Sequence, residues 1–155
     1  MHFYPFELSN DSGYPDKSDF EILDYGSKGK GIQCKKDFRK GDFIARVSGY
    51  ITHDITQYSL QISEGIHLND IWFAGYLLHS SNPNVNVDMQ KLELTAASDI
   101  NNGDLLSMDY AATEDILYKQ FAAPDDPRIW ITGRKEEISE EGKRYIEEYK
   151  KNNTQ

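Results

Sequence analysis

Four short stretches of this 155-residue chain carry residue types able to do chemistry. They are Lys28-Gly29-Lys30-Gly31, Tyr58, His79-Ser80-Ser81-Asn82-Pro83-Asn84-Val85, and Gly103-Asp104-Leu105-Leu106-Ser107-Met108-Asp109-Tyr110. A G-x-G pair cradles phosphate when it opens a helix inside a βαβ unit; no such unit surrounds Gly29, so dinucleotide binding is excluded and a tight turn remains. Tyr58 and Tyr110 each carry a hydroxyl that can place a hydrogen bond at a reacting centre or be satisfied within a core. A lone histidine such as His79 is ordinarily structural rather than an acid, base or metal ligand. Cys34 is the single cysteine, so no internal disulfide and no four-thiolate zinc site can form within the chain.

Positioning these residues falls to a β-rich scaffold. Runs of Ile, Val, Phe, Tyr and Leu broken by Gly, Asn, Asp and Ser predict strands over Phe20–Tyr25, Gly31–Lys35, Phe43–Ile51, Tyr58–Ile62, Ile66–Leu68, Val85–Asp88, Leu92–Ala97 and Leu105–Asp109. Alternation in Val85-Asn86-Val87-Asp88 and Leu92-Glu93-Leu94-Thr95 marks strands with one wet face. Arg39-Lys40-Gly41-Asp42 and Asn101-Asn102-Gly103-Asp104 are turn sequences. Pro124-Asp125-Asp126-Pro127 reads as a breaker before a C-terminal helix that opens at Ser139, with Ile138, Tyr145, Ile146 and Tyr149 at helical spacing. The division expected is an N-terminal lead-in over 1–19, a core over 20–118, and a lid segment with the helix over 119–155.

In this order and spacing the four stretches resemble the SET-domain protein lysine methyltransferases, from about Phe20 to Tyr149. That family places a G-x-G after its first strand, as Gly29-Lys30-Gly31 stands here. A segment of the type D-I-x-x-G-[ED]-x-[IV] follows, answered by Asp37 to Ile44. Gly75-Tyr76-Leu77-Leu78-His79-Ser80-Ser81-Asn82-Pro83-Asn84 answers R-F-I-N-H-S-C-x-P-N, and Gly103 to Tyr110 answers G-E-E-L-x-[FY]-D-Y. The resemblance implies a mainly β fold of small antiparallel sheets around a knot-like crossing, with a C-terminal helix.

It also implies methyl transfer from S-adenosylmethionine to a lysine side chain of a protein or peptide. By resemblance, the backbone of Lys28, Gly29 and Lys30 meets the methionine part of the cofactor, Tyr58 approaches its carboxylate or sulfonium side, and backbone groups of Leu78 and His79 hold the adenine. Tyr110 is the expected catalytic residue, and Met108, two positions before it, lies in the substrate channel. Such a transfer is an in-line displacement that depends on aligning a neutral amine at about 3 to 3.5 Å from the methyl carbon. A lysine of ordinary pKa about 10.4 costs roughly 4 kcal/mol to deprotonate near neutral pH, which an apolar channel beside a sulfonium reduces.

The chain departs from the family pattern in two places. The asparagine before the histidine is Leu78, and the arginine three residues before that is Gly75. Loss of these side chains is expected to weaken cofactor binding unless other groups substitute, since a charged hydrogen bond contributes about 1.5 to 3 kcal/mol. A cysteine-rich zinc segment common in the family is answered by Phe121 to Gly133, which has no cysteine. Phe121 and Trp130 are expected either to cover the adenine as a metal-free lid or to anchor the helix to the core.

Apolar residues make up 38% and charged residues 28% of the chain, a globular balance without a stretch long enough to span a bilayer. No signal-peptide pattern opens the sequence, and a reducing cytoplasm is the expected location. A net charge of -9 argues against nucleic acid and membrane partners. Between residues 48 and 115 ten acids face Lys91 alone, which favours a basic peptide or serves solubility. Other functions compatible with the residues are the same chemistry on a free amine or amino acid, and a catalytically silent binding module.

Overall fold

The computed structural model describes residues 1–8 and 13–153. Five small sheets carry the scaffold. Strands β1 (Phe20–Asp24) and β2 (Lys30–Cys34) form an antiparallel hairpin with Ile22 opposite Ile32. Strand β3 (Phe43–Arg46) pairs with β9 (Glu93–Ala96), which pairs with β8 (Val85–Asp88). A second three-stranded sheet sets β6 (Ile66–Asn69) between β4 (Tyr50–Thr52) and β5 (Ser59–Ser63). The two-residue strands β7 (Leu78–His79) and β10 (Ser107–Met108) run parallel. An antiparallel pair, β11 (Phe121–Ala123) and β12 (Asp126–Ile131), precedes helix α1 (Glu140–Asn153).

The alternation of β8 and β9 behaves as the sequence indicates: Val85, Leu94 and Ala96 are buried while Asn86 and Asp88 face water. They join Ile32, Leu68, Phe73, Leu77, Ile100 and Leu106 in one core. Two expectations change. The strand expected over Phe43–Ile51 is two strands in different sheets, because the chain leaves β3 at Val47 and re-pairs from Tyr50. The segment Pro124-Asp125-Asp126-Pro127 is the turn and start of a β-hairpin rather than a simple breaker; β12 belongs to a two-stranded sheet, where an edge position tolerates Pro127.

Residues 9–12 of the expected lead-in lie outside the described residues, but residues 1–8 are not loose. Tyr4 is 4% exposed, and its hydroxyl donates to Asp70 Oδ2 at 2.7 Å while accepting from the Ser48 backbone at 3.0 Å. Asp70 also accepts from the backbone N–H groups of Trp72, Phe73 and Ala74 at 2.9 to 3.0 Å. Burial pushes the Asp70 carboxyl up, and its four donors counter that. This network ties the N-terminus to the turn that leads into β7. Its partners are 66 positions apart, so no local pattern announces it.

Helix α1 starts where expected: Ser139 Oγ accepts from the Gly142 backbone at 3.1 Å, with Glu140 and Glu141 in the first turn and Lys150 and Lys151 in the last. Its apolar face meets β12, where the Trp130 and Tyr145 rings lie 5.3 Å apart and Tyr145 donates to the Pro127 carbonyl at 2.9 Å. No helix among the described residues is long and apolar enough to cross a membrane.

Candidate active site

The site is built on the crossing of two chain segments. In the parallel pair, Leu78 N–H donates to Leu106 O at 3.3 Å and Ser80 N–H to Met108 O at 2.9 Å. Asn84 locks the crossing: its amide donates to Leu105 O at 2.9 Å, and its Oδ1 accepts from the Ser107 backbone at 2.8 Å and hydroxyl at 3.3 Å. An asparagine suits this place because it satisfies a backbone donor and a backbone acceptor together. The His79–Asn84 and Gly103–Tyr110 motifs are therefore one structural unit.

Tyr110 leaves this unit with both of its polar groups engaged. Its hydroxyl donates to Leu77 O at 2.7 Å and its backbone N–H donates to His79 Nδ1 at 3.1 Å. Burial, with the nearby Glu114 carboxyl adding to it, pushes the phenol up to about 12, so it stays protonated at neutral pH. Because Nδ1 accepts, the neutral His79 ring carries its proton on Nε2, which is buried and meets no partner among the described residues. Burial also holds His79 below the usual imidazole range, against the pull of Asp109 and Asp125. The His79, Tyr110 and Phe121 rings contact one another edge to face, with centroids 5.1 to 6.0 Å apart.

On its other side Tyr110 lines a cavity of about 290 Å³. Leu60, Leu77, Met108 and Leu117 give it apolar walls, Thr113 and Glu114 are buried polar residues of its lining, and Tyr110 is partly buried. Met108, expected in a substrate channel, is 3% exposed and lies in this wall. Gly75 also lines it, where a Cβ would stand 2.6 Å from Tyr58 Cβ and 2.7 Å from Tyr58 O. No side chain fits at position 75, so the glycine in place of the family arginine is a packing requirement of its contact with Tyr58 and the Asp70 carbonyl. The same closeness sets the Tyr58 and Tyr76 rings 5.1 Å apart.

Of the residues expected to hold a cofactor, most gather on the β2 and β7 side. Gly29 adopts φ 90°, a left-handed conformation that favours glycine, and a Cβ there would project into open space. Its N–H and C=O are used in closing the β1–β2 turn, to Gly26 and Tyr25. Lys30 Nζ lies 5.3 Å from the centre of the Tyr76 ring, which links it to Tyr58. Leu78 packs on the start of β2: a Cβ at Gly31 would be 3.4 Å from its Cδ1, so an apolar contact stands where the family pattern has an amide.

The two lid candidates part company. Phe121 joins His79 and Tyr110, whereas Trp130 faces α1 and donates from its indole to Gln120 Oε1 at 2.8 Å. Trp130 takes the anchoring place. The hairpin turn reaches the crossing through Ser81 Oγ, which meets Asp125 Oδ2 at 3.1 Å. Among the described residues no three His, Cys, Asp or Glu side chains group as metal ligands. Tyr76, Glu114 and Leu117 were not singled out from sequence. Glu114 sits in Thr113-Glu114-Asp115, which looks like surface charge, and nothing local marks it as 7% exposed.

No protein-family model and no curated protein matches the sequence. Among solved structures, the chain is similar to KRYPTONITE in complex with mCHG DNA and SAH, and to KRYPTONITE in complex with mCHH DNA, H3(1-15) peptide and SAH. Each match is 23% identical, has a TM-score of 0.53 and covers 67% of this chain. This chain spans about a quarter of those chains, 26% and 27% of their lengths. The crossing of β7 and β10, the small sheets around it and this likeness together show that the chain has the SET-domain fold.

Proposed function

We propose that the protein is an S-adenosylmethionine-dependent N-methyltransferase acting on a lysine side chain of a protein or peptide. The observation that carries this reading is the Tyr110 hydroxyl, fixed on Leu77 O at 2.7 Å on the wall of a cavity that also meets the His79 crossing. A buried phenol that cannot ionise at neutral pH acts by position: its oxygen lone pairs mark where an amine and a methyl group align.

The residues present fit the cofactor. Gly29 has no side chain and borders open space, Lys30 and Tyr58 stand on the same side through Tyr76, and His79 Nε2–H is a buried donor without an acceptor among the described residues. The bound cofactor supplies an electrophilic methyl group. Lys28, Gly29, Lys30, Tyr58, Leu78 and His79 would hold it, Phe121 would exclude water over the ring cluster, and Met108 and Leu77 would guide the alkyl chain of the substrate. SAH in the KRYPTONITE complexes, and the H3(1-15) peptide in one of them, support this reading. The acidic stretch over 48–115 supports a basic peptide over nucleic acid as partner, although the KRYPTONITE complexes contain DNA.

One observation favours a silent binding module instead: Leu78 lays an apolar side chain on Gly31 at the start of β2, where the family pattern has an amide. Calorimetric titration with S-adenosylmethionine, followed by labelled-methyl transfer into lysate and mass spectrometry of the modified protein, tests the proposal. Binding with label on lysine is the expected result; no binding at millimolar cofactor overturns it in favour of the silent module.

A further inference from the structure

Glu114 is a buried charge with one side unfinished. It lines the cavity beside Tyr110, and its Oε2 accepts from the Gln61 backbone at 2.8 Å and from the Thr113 hydroxyl at 2.6 Å. Among the described residues no donor reaches Oε1, and that atom is not sealed inside the protein. The neighbouring cations are engaged elsewhere. Arg134 holds Asp115 through Nε at 3.1 Å and Nη2 at 2.8 Å, and Lys135 pairs with Asp115 at 3.5 Å. Lys119 lines the cavity but makes no ion pair with Glu114 among the described residues. A carboxyl so placed is completed by a cation that brings its own N–H donors.

We infer that Glu114 receives the substrate's amine as an ammonium ion, accepting one of its hydrogens at Oε1, so that the cavity selects an alkylammonium over a neutral side chain of equal length. The inference rests on the methyltransferase reading only for the identity of the substrate. Once the pair is formed, the proton passes from nitrogen to Oε1: one N–H bond breaks, one O–H bond forms, and a neutral amine faces Tyr110 beside a neutral carboxylic acid. Burial holds the Glu114 carboxyl above the usual carboxylate range, against the hydrogen bonds from Gln61 and Thr113 and the Arg134 charge and with Asp115 adding to it, which eases the transfer.

The probes are Nα-acetyl-lysine N-methylamide and its norleucine counterpart, titrated by NMR into the full chain without cofactor from pH 8 down to 4.5. The groups around Glu114 are Tyr110, protonated throughout this range, Asp115, Arg134 and Lys119, with His79 against Tyr110 and His67 beside Asp115, so the pH dependence that Glu114→Gln abolishes, over the range where melts show both proteins folded, reads Glu114. The expected result is at least tenfold tighter binding of the lysine probe at pH 8, a preference that shrinks as the pH falls, and its loss in Glu114→Gln. Equal affinities at pH 8, or a preference that survives Glu114→Gln, overturn the inference. Should Glu114→Gln not fold, the wild-type series decides, since a preference constant from pH 8 to 4.5 is equally fatal. Absence of cofactor binding with the lysine preference intact removes the methyltransferase reading and leaves the ion pair standing.

Discussion

Gly142 and Trp130 meet so closely that a Cβ on the glycine would stand 2.6 Å from the indole Cε2 and 2.7 Å from Cδ1. Glycine costs a helix about 1 kcal/mol relative to alanine, so its presence at the third position of α1 reflects this contact. The indole is held in turn by Gln120, whose Oε1 also accepts from the Ser139 backbone at 2.9 Å, so hairpin and helix start share one polar atom.

Replacing Gly142 by leucine should therefore detach the helix from the hairpin at a cost of about 1 to 3 kcal/mol, the range for overpacking. Limited proteolysis with mass spectrometry checks this: early cleavage between residues 124 and 153 with a protected 20–118 core is expected, and an unchanged digestion pattern contradicts it.

The same contacts tie the hairpin to the helix start through protein groups alone. Chelator treatment should leave the melting temperature and any methyl transfer unaltered, because Gln120, Trp130 and Ser139 fix the segment that cysteines and zinc fix in the family pattern. Stoichiometric zinc in the purified protein, lost together with activity on chelation, would refute this.

Tyr110→Phe removes the donor to Leu77 O and should cost stability of order 1 kcal/mol, while turnover falls at least tenfold and cofactor affinity changes little. Separate measurement of cofactor binding and of single-turnover rate distinguishes the two effects. A rate equal to wild type would exclude the hydroxyl from the reaction.

Met108 should permit more than one methyl transfer to the same amine. Its thioether offers no hydroxyl to hold a water against the amine, and its side chain is flexible enough to give way to a growing alkylamine in the cavity wall. Intact-mass measurement of a peptide substrate at long times reads the product; one that stops at a single methyl while Met108→Phe goes further contradicts the expectation.

Acid should destabilise the fold below the ordinary histidine range. His67 is 3% exposed with Nδ1 unpartnered among the described residues, and burial holds both His67 and His79 below the usual imidazole pKa. A base whose folded pKa is depressed contributes stability that is complete above its unfolded pKa of about 6.5 and is lost as the pH falls toward the folded value. Asp70 and Glu114, held above the carboxylate range, act in the opposite sense between their unfolded and folded values. Thermal melts from pH 7.5 to 5.5 should show a falling melting temperature that is flatter in His67→Gln; equal slopes would remove His67 as a cause.

The strands were legible where alternation is strong, as in Val85-Asn86-Val87-Asp88, and the helix was legible through Ser139 and its tyrosine spacing. The crossing was legible because Asn84 and Ser107 lie in motifs with a known order. What sequence could not show depends on distant partners. Tyr4 looks like part of a tail until Asp70 is placed beside it, and Glu114 looks like surface charge until Gln61 and Thr113 enclose it. Gly75 reads as a lost arginine, but its proximity to Tyr58 is visible only in three dimensions. Trp130 and Phe121 flank one hairpin, and their division of labour follows from which face of it each occupies.

The parallel pairing of β7 with β10 also makes the site a long-range construction. Tyr110 bonds to a carbonyl 33 positions earlier, and the chain between them runs through β8 and β9, which belong to a different sheet with β3. Closing such a loop costs entropy before any contact rewards it, and long-range pairings of this kind slow folding. No local element can place the Tyr110 hydroxyl by itself. The centre consequently depends on closure of the loop between Leu77 and Tyr110, and any change that opens that loop removes the hydroxyl from its place.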